Sequence, residues 1–439
     1  MIETATARRA VGDWAGACSA ANVDVDFSLR AVARTYGRRA AARLRSDLRH
    51  LAPDLLRWHM PRIAPDGLLR PGLTVALARY EATDRATDGA ADQAGVRPLY
   101  LVVRTPPAWA DAGQRISLAL WDGTRTRADP SRHHPHPHPH RRFRLDLHRH
   151  LWDARRAGEL RKRSGTGVPG PQWRHCAVDR WADEAALLSR TDGRPSGPVV
   201  VRLGSGRRLI MEPGRGPGPD ADADAVGSEH SPGFRLVAPA TVGDTSGLPV
   251  LPDAATWVLP DLELLRTGTL AAEQLHPLVA AALVPGFTPP GPSSTPPADR
   301  PRIVECRGAL HRIGLVDGTL APLDHDPAEI RREELLAALS GTPLPCLQVI
   351  DDAHRRPDCL TGVRERLDHG DIDGALAVVA ALLGPEALLR DGPLRDELET
   401  AAHRRVTHGL YRAGLIDPAP DARNAPRSHL SRLPRRTHL

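Results

Sequence analysis

The sequence predicts an α+β protein of two or three units, with short antiparallel-type strands and hairpins and a helical C-terminal region. Short apolar runs flank turn signals, leucines recur at helical spacing, and stretches rich in proline, glycine, serine or histidine interrupt both patterns. At 439 residues the chain exceeds what one hydrophobic core usually organises, which argues for more than one unit.

The first unit, 1–121, begins helical: Leu44, Leu48 and Leu51 fall at i, i+4 and i+7 on one face, after a helix stop at Gly37. Pro53 opens a short segment carrying Leu55, Leu56 and Trp58, and strand-like runs follow at 73–78, 99–104 and 116–121. Residues 122–142 read as a His/Pro-rich linker. The second unit, 143–285, opens with Phe143, Leu145 and Leu147 alternating with charged residues, the period of a strand. Helices are expected at 178–189 and 271–283, and a hairpin near 199–211 around Gly204-Ser205-Gly206. An internal flexible loop, 213–233, lies in this unit, and a Pro/Ser linker, 286–301, follows it. The third unit, 302–416, starts with a strand at 303–306 and a hairpin whose turn is Asp317-Gly318, then reads as helical. Asp326, Pro327 and Glu329 form an Asp version of a capping box. Gly370-Asp371 ends one helix and caps the next, expected at 375–383, and 417–439 reads as a disordered tail.

Apolar residues make up 41% of the chain but aromatics only 4%, so the cores must be built mainly from Leu, Val and Ala. Lys162 is the only lysine among 59 basic residues, and asparagine occurs only at Asn22 and Asn424. Codon usage in a GC-rich genome accounts for most of that arginine; the net charge of +6 permits an anionic partner without requiring one. Five cysteines without a CxxC pair make neither a disulfide framework nor a zinc ribbon, and they point to a reducing, cytoplasmic setting. The N-terminus lacks a signal-peptide pattern, and no apolar run approaches the roughly 20 residues that span a bilayer, so no membrane partner is expected.

His133, His134, His136, His138 and His140 alternate with proline beside His148 and His150; this reads as a solvated loop, with weak metal buffering as its alternative. The following segment, 141–163, is the candidate anion-binding site. Arg141, Arg142, Arg144, Arg149, Arg155, Arg156, Arg161, Lys162 and Arg163 put nine positive charges into 23 residues against three acids, with Trp152 available to stack a base. Gly165, Gly167 and Gly170 match GxGxxG but lack the strand before and the helix after that a dinucleotide site needs. The 347–352 run resembles the acidic element of nucleotide hydrolases, without the phosphate loop that element works with. The 368–374 run is out of register for a calcium loop. No nucleophile motif occurs, so no catalytic, cofactor or metal residue is assigned. The functional expectation is a non-catalytic adaptor that docks a macromolecular partner, most simply a protein. The alternatives are nucleic-acid binding through 141–163, and a metal-dependent hydrolase using Asp324, His325 and nearby acids. No oligomeric state is assigned.

Overall fold

The computed structural model describes residues 1–83, 96–123, 134–166, 173, 175–204, 206–213, 234–237, 245–287, 302–306, 308–316, 319–340, 344–355, 360–383, 389 and 391–416. Most of the expected linkers, loop and tail (124–133, 214–233, 288–301, 417–439) lie outside these residues, as do the Asp317-Gly318 turn, Ser205, Gly167, Gly170 and Cys359. The chain is α+β and gathers into two compact units. The first draws on Met1–Thr105, Arg115–Thr124 and His136–Pro296, and the second on Pro106–Gln114, Arg125–Pro135 and Pro297–Leu439.

In the first unit, α1 (Ile2–Ala10), α2 (Trp14–Ala20), β1 (Val23–Val25), α3 (Leu29–Thr35), α4 (Gly37–His50) and α5 (Pro53–Trp58) precede β2 (Thr74–Thr83), β3 (Val96–Arg104) and β4 (Ile116–Trp121). The strands form one sheet in the order β1-β4-β3-β2, with β1 parallel to β4 and the other pairs antiparallel. Helix α4 forms where Ala40, Ala41, Leu44 and Leu48 recur on one face, and that face is buried. Each leucine so buried stabilises the fold by about 1.5–3 kcal/mol. Pro53 opens α5, where its missing N–H costs no hydrogen bond. Leu44, Leu55, Leu77, Leu101, Leu118 and Trp152 share this core.

The rest of the first unit contains α6 (Leu160–Arg163), α7 (Trp181–Thr191), β5 (Val199–Arg202), β6 (Arg208–Pro213), β7 (Phe234–Val237), α8 (Asp253–Thr256), α9 (Pro260–Arg266) and α10 (Pro277–Leu283). Strands β5-β6-β7 make an antiparallel sheet over a second core of Trp181, Leu188, Val199, Val201 and Leu251. Residues 143–147 are not the strand that their alternation suggests. They form turns with one isolated bridge, Ala76 to Arg144. The apolar residues are buried for a different reason: Phe143 and Leu145 enter the first core and Leu147 the second. The helix expected over 271–283 is also split. A short 3-10 turn at Ala272–Gln274 gives way to α10, which restarts at Pro277 because proline cannot continue a hydrogen-bond ladder. Nor is the second half of the His-Pro run a loose loop. The Thr74 hydroxyl donates to the His136 carbonyl at 2.6 Å, and His138 meets Trp121 edge-on.

The second unit contains β8 (Arg302–Cys306), β9 (Ala309–Val316), β10 (Thr319–Pro322), α11 (Pro327–Ser340), α12 (Pro345–Arg355), α13 (Leu360–Asp368), α14 (Ile372–Leu383) and α15 (Pro393–Arg412). The sheet order is β10-β9-β8, antiparallel throughout. Register pairs Cys306 with Ala309 and Val304 with His311, so these four residues share one face of the sheet. Helix α12 packs against β8 and β10. Asp326 caps α11 by accepting from the Ala328 N–H at 2.8 Å. Asp371 caps α14 through Gly374 N–H at 3.1 Å, which starts that helix at Ile372, three residues ahead of the expected 375. Pro106–Gln114 belongs to this unit: Trp109 packs edge-on against Tyr411, and His408 Nδ1 bonds the Ala110 carbonyl at 2.9 Å. Gly113 sits at φ +66°, and a Cβ there would stand 2.8 Å from the Gly370 Cα. No described helix is long and apolar enough to cross a membrane.

Candidate functional site

Three stretches of the first unit enclose a cleft of about 710 Å³: the end of α5 with the loop that follows it, residues 142–164, and α8–α9. That volume lies in the range of about 300–1,000 Å³ typical of ligand sites. Backbone hydrogen bonds hold the walls together. The Ala52 N–H donates to the Trp152 carbonyl at 2.8 Å, Asp253 N–H to Arg142 at 2.9 Å and Leu259 N–H to Ser164 at 3.1 Å. Trp58, Phe143, Trp257 and Leu264 supply apolar wall, and Arg62 and Arg70 supply positive charge. Trp58 Nε1 donates to Asp261 Oδ1 at 2.7 Å, which fixes both the indole and the carboxylate.

His59 is the notable polar group of the cleft. Its Nδ1 bonds the Leu151 carbonyl at 3.0 Å and therefore carries the proton. Its buried Nε2 has no hydrogen-bond partner among the described residues; the carboxylate of Asp261 is 3.9 Å away. Burial lowers the His59 pKa against the opposing pull of Asp261, so the ring is neutral near pH 7 and Nε2 is a bare acceptor. His150 is pushed well down by burial, reinforced by His148 and Arg163, and its Nδ1 accepts from Arg163 at 3.3 Å. Burial also lowers the Arg62 pKa.

The basic segment forms one wall of this cleft, and most of its charge is already matched. Arg142 grips Asp253 with two bonds, at 3.0 and 2.6 Å. Arg144 reaches Asp146 at 2.9 Å and Asp192 at 3.1 Å. Arg149 bonds Asp47 and Asp153. Arg155 pairs with Asp153 at 3.0 Å, Arg156 with Glu159 at 2.7 Å and Arg163 with Glu184 at 2.7 Å. Arg141, Arg161 and Lys162 have no carboxylate partner among the described residues. Trp152 is fully buried, with Nε1 donating to the Leu145 carbonyl at 3.0 Å and the Arg149 guanidinium over its ring. Glu184 anchors the wall from behind. Burial raises its pKa, but the His148 ring 3.2 Å away and the Arg163 guanidinium outweigh that and hold it at about 2.

Compared with known proteins, the chain matches no family model, no curated protein and no solved structure.

Sequence reasoning found the basic wall but not the rest of the cleft. His59, Trp58, Asp261 and Trp257 carry no motif; only the fold brings them together. In the second unit, Asp324 is held by Arg312 in a two-pronged pair at 2.7 and 3.2 Å, away from metal chemistry. His325 instead lies beside Cys306 and Cys346, the only group among the described residues suited to hold a metal ion. The sequence reading assigned no metal residue, because 40 positions separate the two cysteines and nothing local links them to the histidine.

Proposed function

We propose that the chain is a cytoplasmic adaptor and that the cleft of the first unit receives a peptide segment of a protein partner. The carrying observation is an apolar cleft in which one buried acceptor, His59 Nε2, has no hydrogen-bond partner among the described residues. A buried acceptor without a donor costs about 1–3 kcal/mol, and a bound peptide N–H would relieve it. Trp58, Trp257 and Leu264 suit an apolar side chain, and exposed Arg70 at the cleft suits an acidic one. The four described cysteines are free thiols, which supports a reducing compartment.

The test is selection of a displayed random-peptide library on the full-length protein, followed by calorimetry. Enriched segments are expected to combine an acidic and an apolar residue. Arg70→Glu and Leu264→Arg should each weaken an enriched peptide about tenfold or more, about 1.4 kcal/mol. No enrichment, or peptides indifferent to both substitutions, would overturn the reading. Nucleic-acid binding through 141–163 is less well supported, because phosphates would compete there with the internal carboxylate partners of six arginines and Trp152 is buried.

A further inference from the structure

We propose that Cys306, His325 and Cys346 bind one zinc ion in the second unit, with the His311 ring stacked against the ligand histidine. This lies apart from the cleft and does not depend on it.

The donor atoms come from three places in the chain, and the His311 ring backs one of them. Cys306 ends β8, His311 is on β9, His325 lies in the turn between β10 and α11, and Cys346 stands in the first turn of α12. The Sγ atoms of both cysteines and a ring nitrogen of His325 all lie within 4.8 Å of one another, with Cys346 Sγ 3.8 Å from His325 Nε2. Tetrahedral zinc with bonds of about 2.0–2.3 Å separates its donor atoms by about 3.5–3.8 Å, so the group needs to contract by no more than about 1.3 Å. Both cysteines are fully buried, and their neighbours in this small cluster are Leu344, Val304 and Leu347.

Two further features point to a ligand. His325 Nδ1 faces Glu329 Oε2 at 3.4 Å, leaving Nε2 toward the thiols; a carboxylate behind a histidine is the usual support of a zinc ligand. His311 stacks on His325 with ring centroids 4.1 Å apart, which holds the ligand ring in place. Two sulfurs and an imidazole select zinc over calcium or magnesium, which prefer oxygen. Each thiol gives up its proton as its sulfur bonds the metal. The ion would tie the sheet to the start of α11 and α12, where the apolar cluster is small.

The test uses the full chain, reduced and stripped with a chelator, then titrated with cobalt(II). One equivalent should produce the thiolate-to-cobalt charge-transfer band and the intense visible band of tetrahedral cobalt, and zinc should bleach both. The His-Pro run contains no sulfur and cannot give the thiolate band. Glu329→Gln should keep the spectrum and weaken affinity about tenfold. His325→Phe should weaken it by at least as much; unchanged affinity would overturn the role of His325. Cys306→Ser and Cys346→Ser should each lose thiolate intensity, while the unmutated titration stands whether or not those variants fold. Absence of a thiolate band at cobalt saturation would overturn the site. So would a Cys306–Cys346 disulfide in protein alkylated before lysis.

Discussion

Glu184 sits within 3.3 Å of Arg163, His148 and Arg180, with its side chain 4% exposed. Burial disfavours its charge; the neighbouring His148 ring and the Arg163 guanidinium favour it more, and its pKa falls from 4.5 to about 2. A depressed folded-state pKa contributes stability above the unfolded value that is lost as pH falls through the folded one. Denaturant unfolding should therefore show about 3 kcal/mol of stability lost between about pH 5 and pH 2. Glu184→Gln should flatten that decline and destabilise the protein at pH 7; parallel curves for the two proteins would refute the assignment. Asp54 and His276 form a second buried pair at 2.9 Å, both side chains 0% exposed. Burial pushes the Asp54 carboxyl up, yet the His276 hydrogen bond and Arg9 bring it below its ordinary value. Asp54→Ala strands the His276 N–H and should cost about 3–5 kcal/mol, read as a drop in thermal midpoint. Neither pair was legible in the sequence. Asp54 and His276 stand 222 positions apart, and no local pattern marks one as the other's partner.

Elements were far more legible, since their signals are local. The β4 bounds match the expected 116–121, and the hairpins of β5–β6 and β9–β10 lie where apolar runs flank glycine turns. The leucine spacing of α4 predicted its buried face, and Leu44→Ala should cost about 2–5 kcal/mol in equilibrium unfolding. Misreadings arose where two causes produce one pattern. Alternation at 143–147 comes from a chain passing between two cores, which looks like a strand. The 141–163 charge run is mostly a set of structural ion pairs, which in sequence looks like a phosphate track. With Arg141, Arg161 and Lys162 left over, any nucleic-acid binding here should neutralise about three phosphates. Its salt slope should then be no steeper than about −2.7. A slope near −8 in a filter-binding series would mean that the internal pairs open for nucleic acid.

At the scale of the molecule, sites are sums of distant stretches. The cleft takes its walls from 58–70, 142–164 and 253–270, and the Cys/His group takes its donors from three distant positions. That is why composition and motif reading yielded one wall of the first and, of the second, only His325. The same discontinuity governs how the chain must be made. The bond between His408 and the Ala110 carbonyl spans 298 positions. A ribosome adding about 5–20 residues per second needs about 15–60 s to cover that distance. For most of that interval Trp109 has left the exit tunnel and Tyr411 does not yet exist. The second unit is thus obliged to wait for its last described helix, with Trp109 uncovered until then. Nascent chains stalled before Pro393 should be cut by protease within Pro106–Gln114, and released full-length chains should be protected there. Equal cleavage of both would show that this strip never docks. A fragment beginning at 297 should inherit the reverse defect, a bare Tyr411 and His408, and should gain stability from a synthetic 106–114 peptide added in trans.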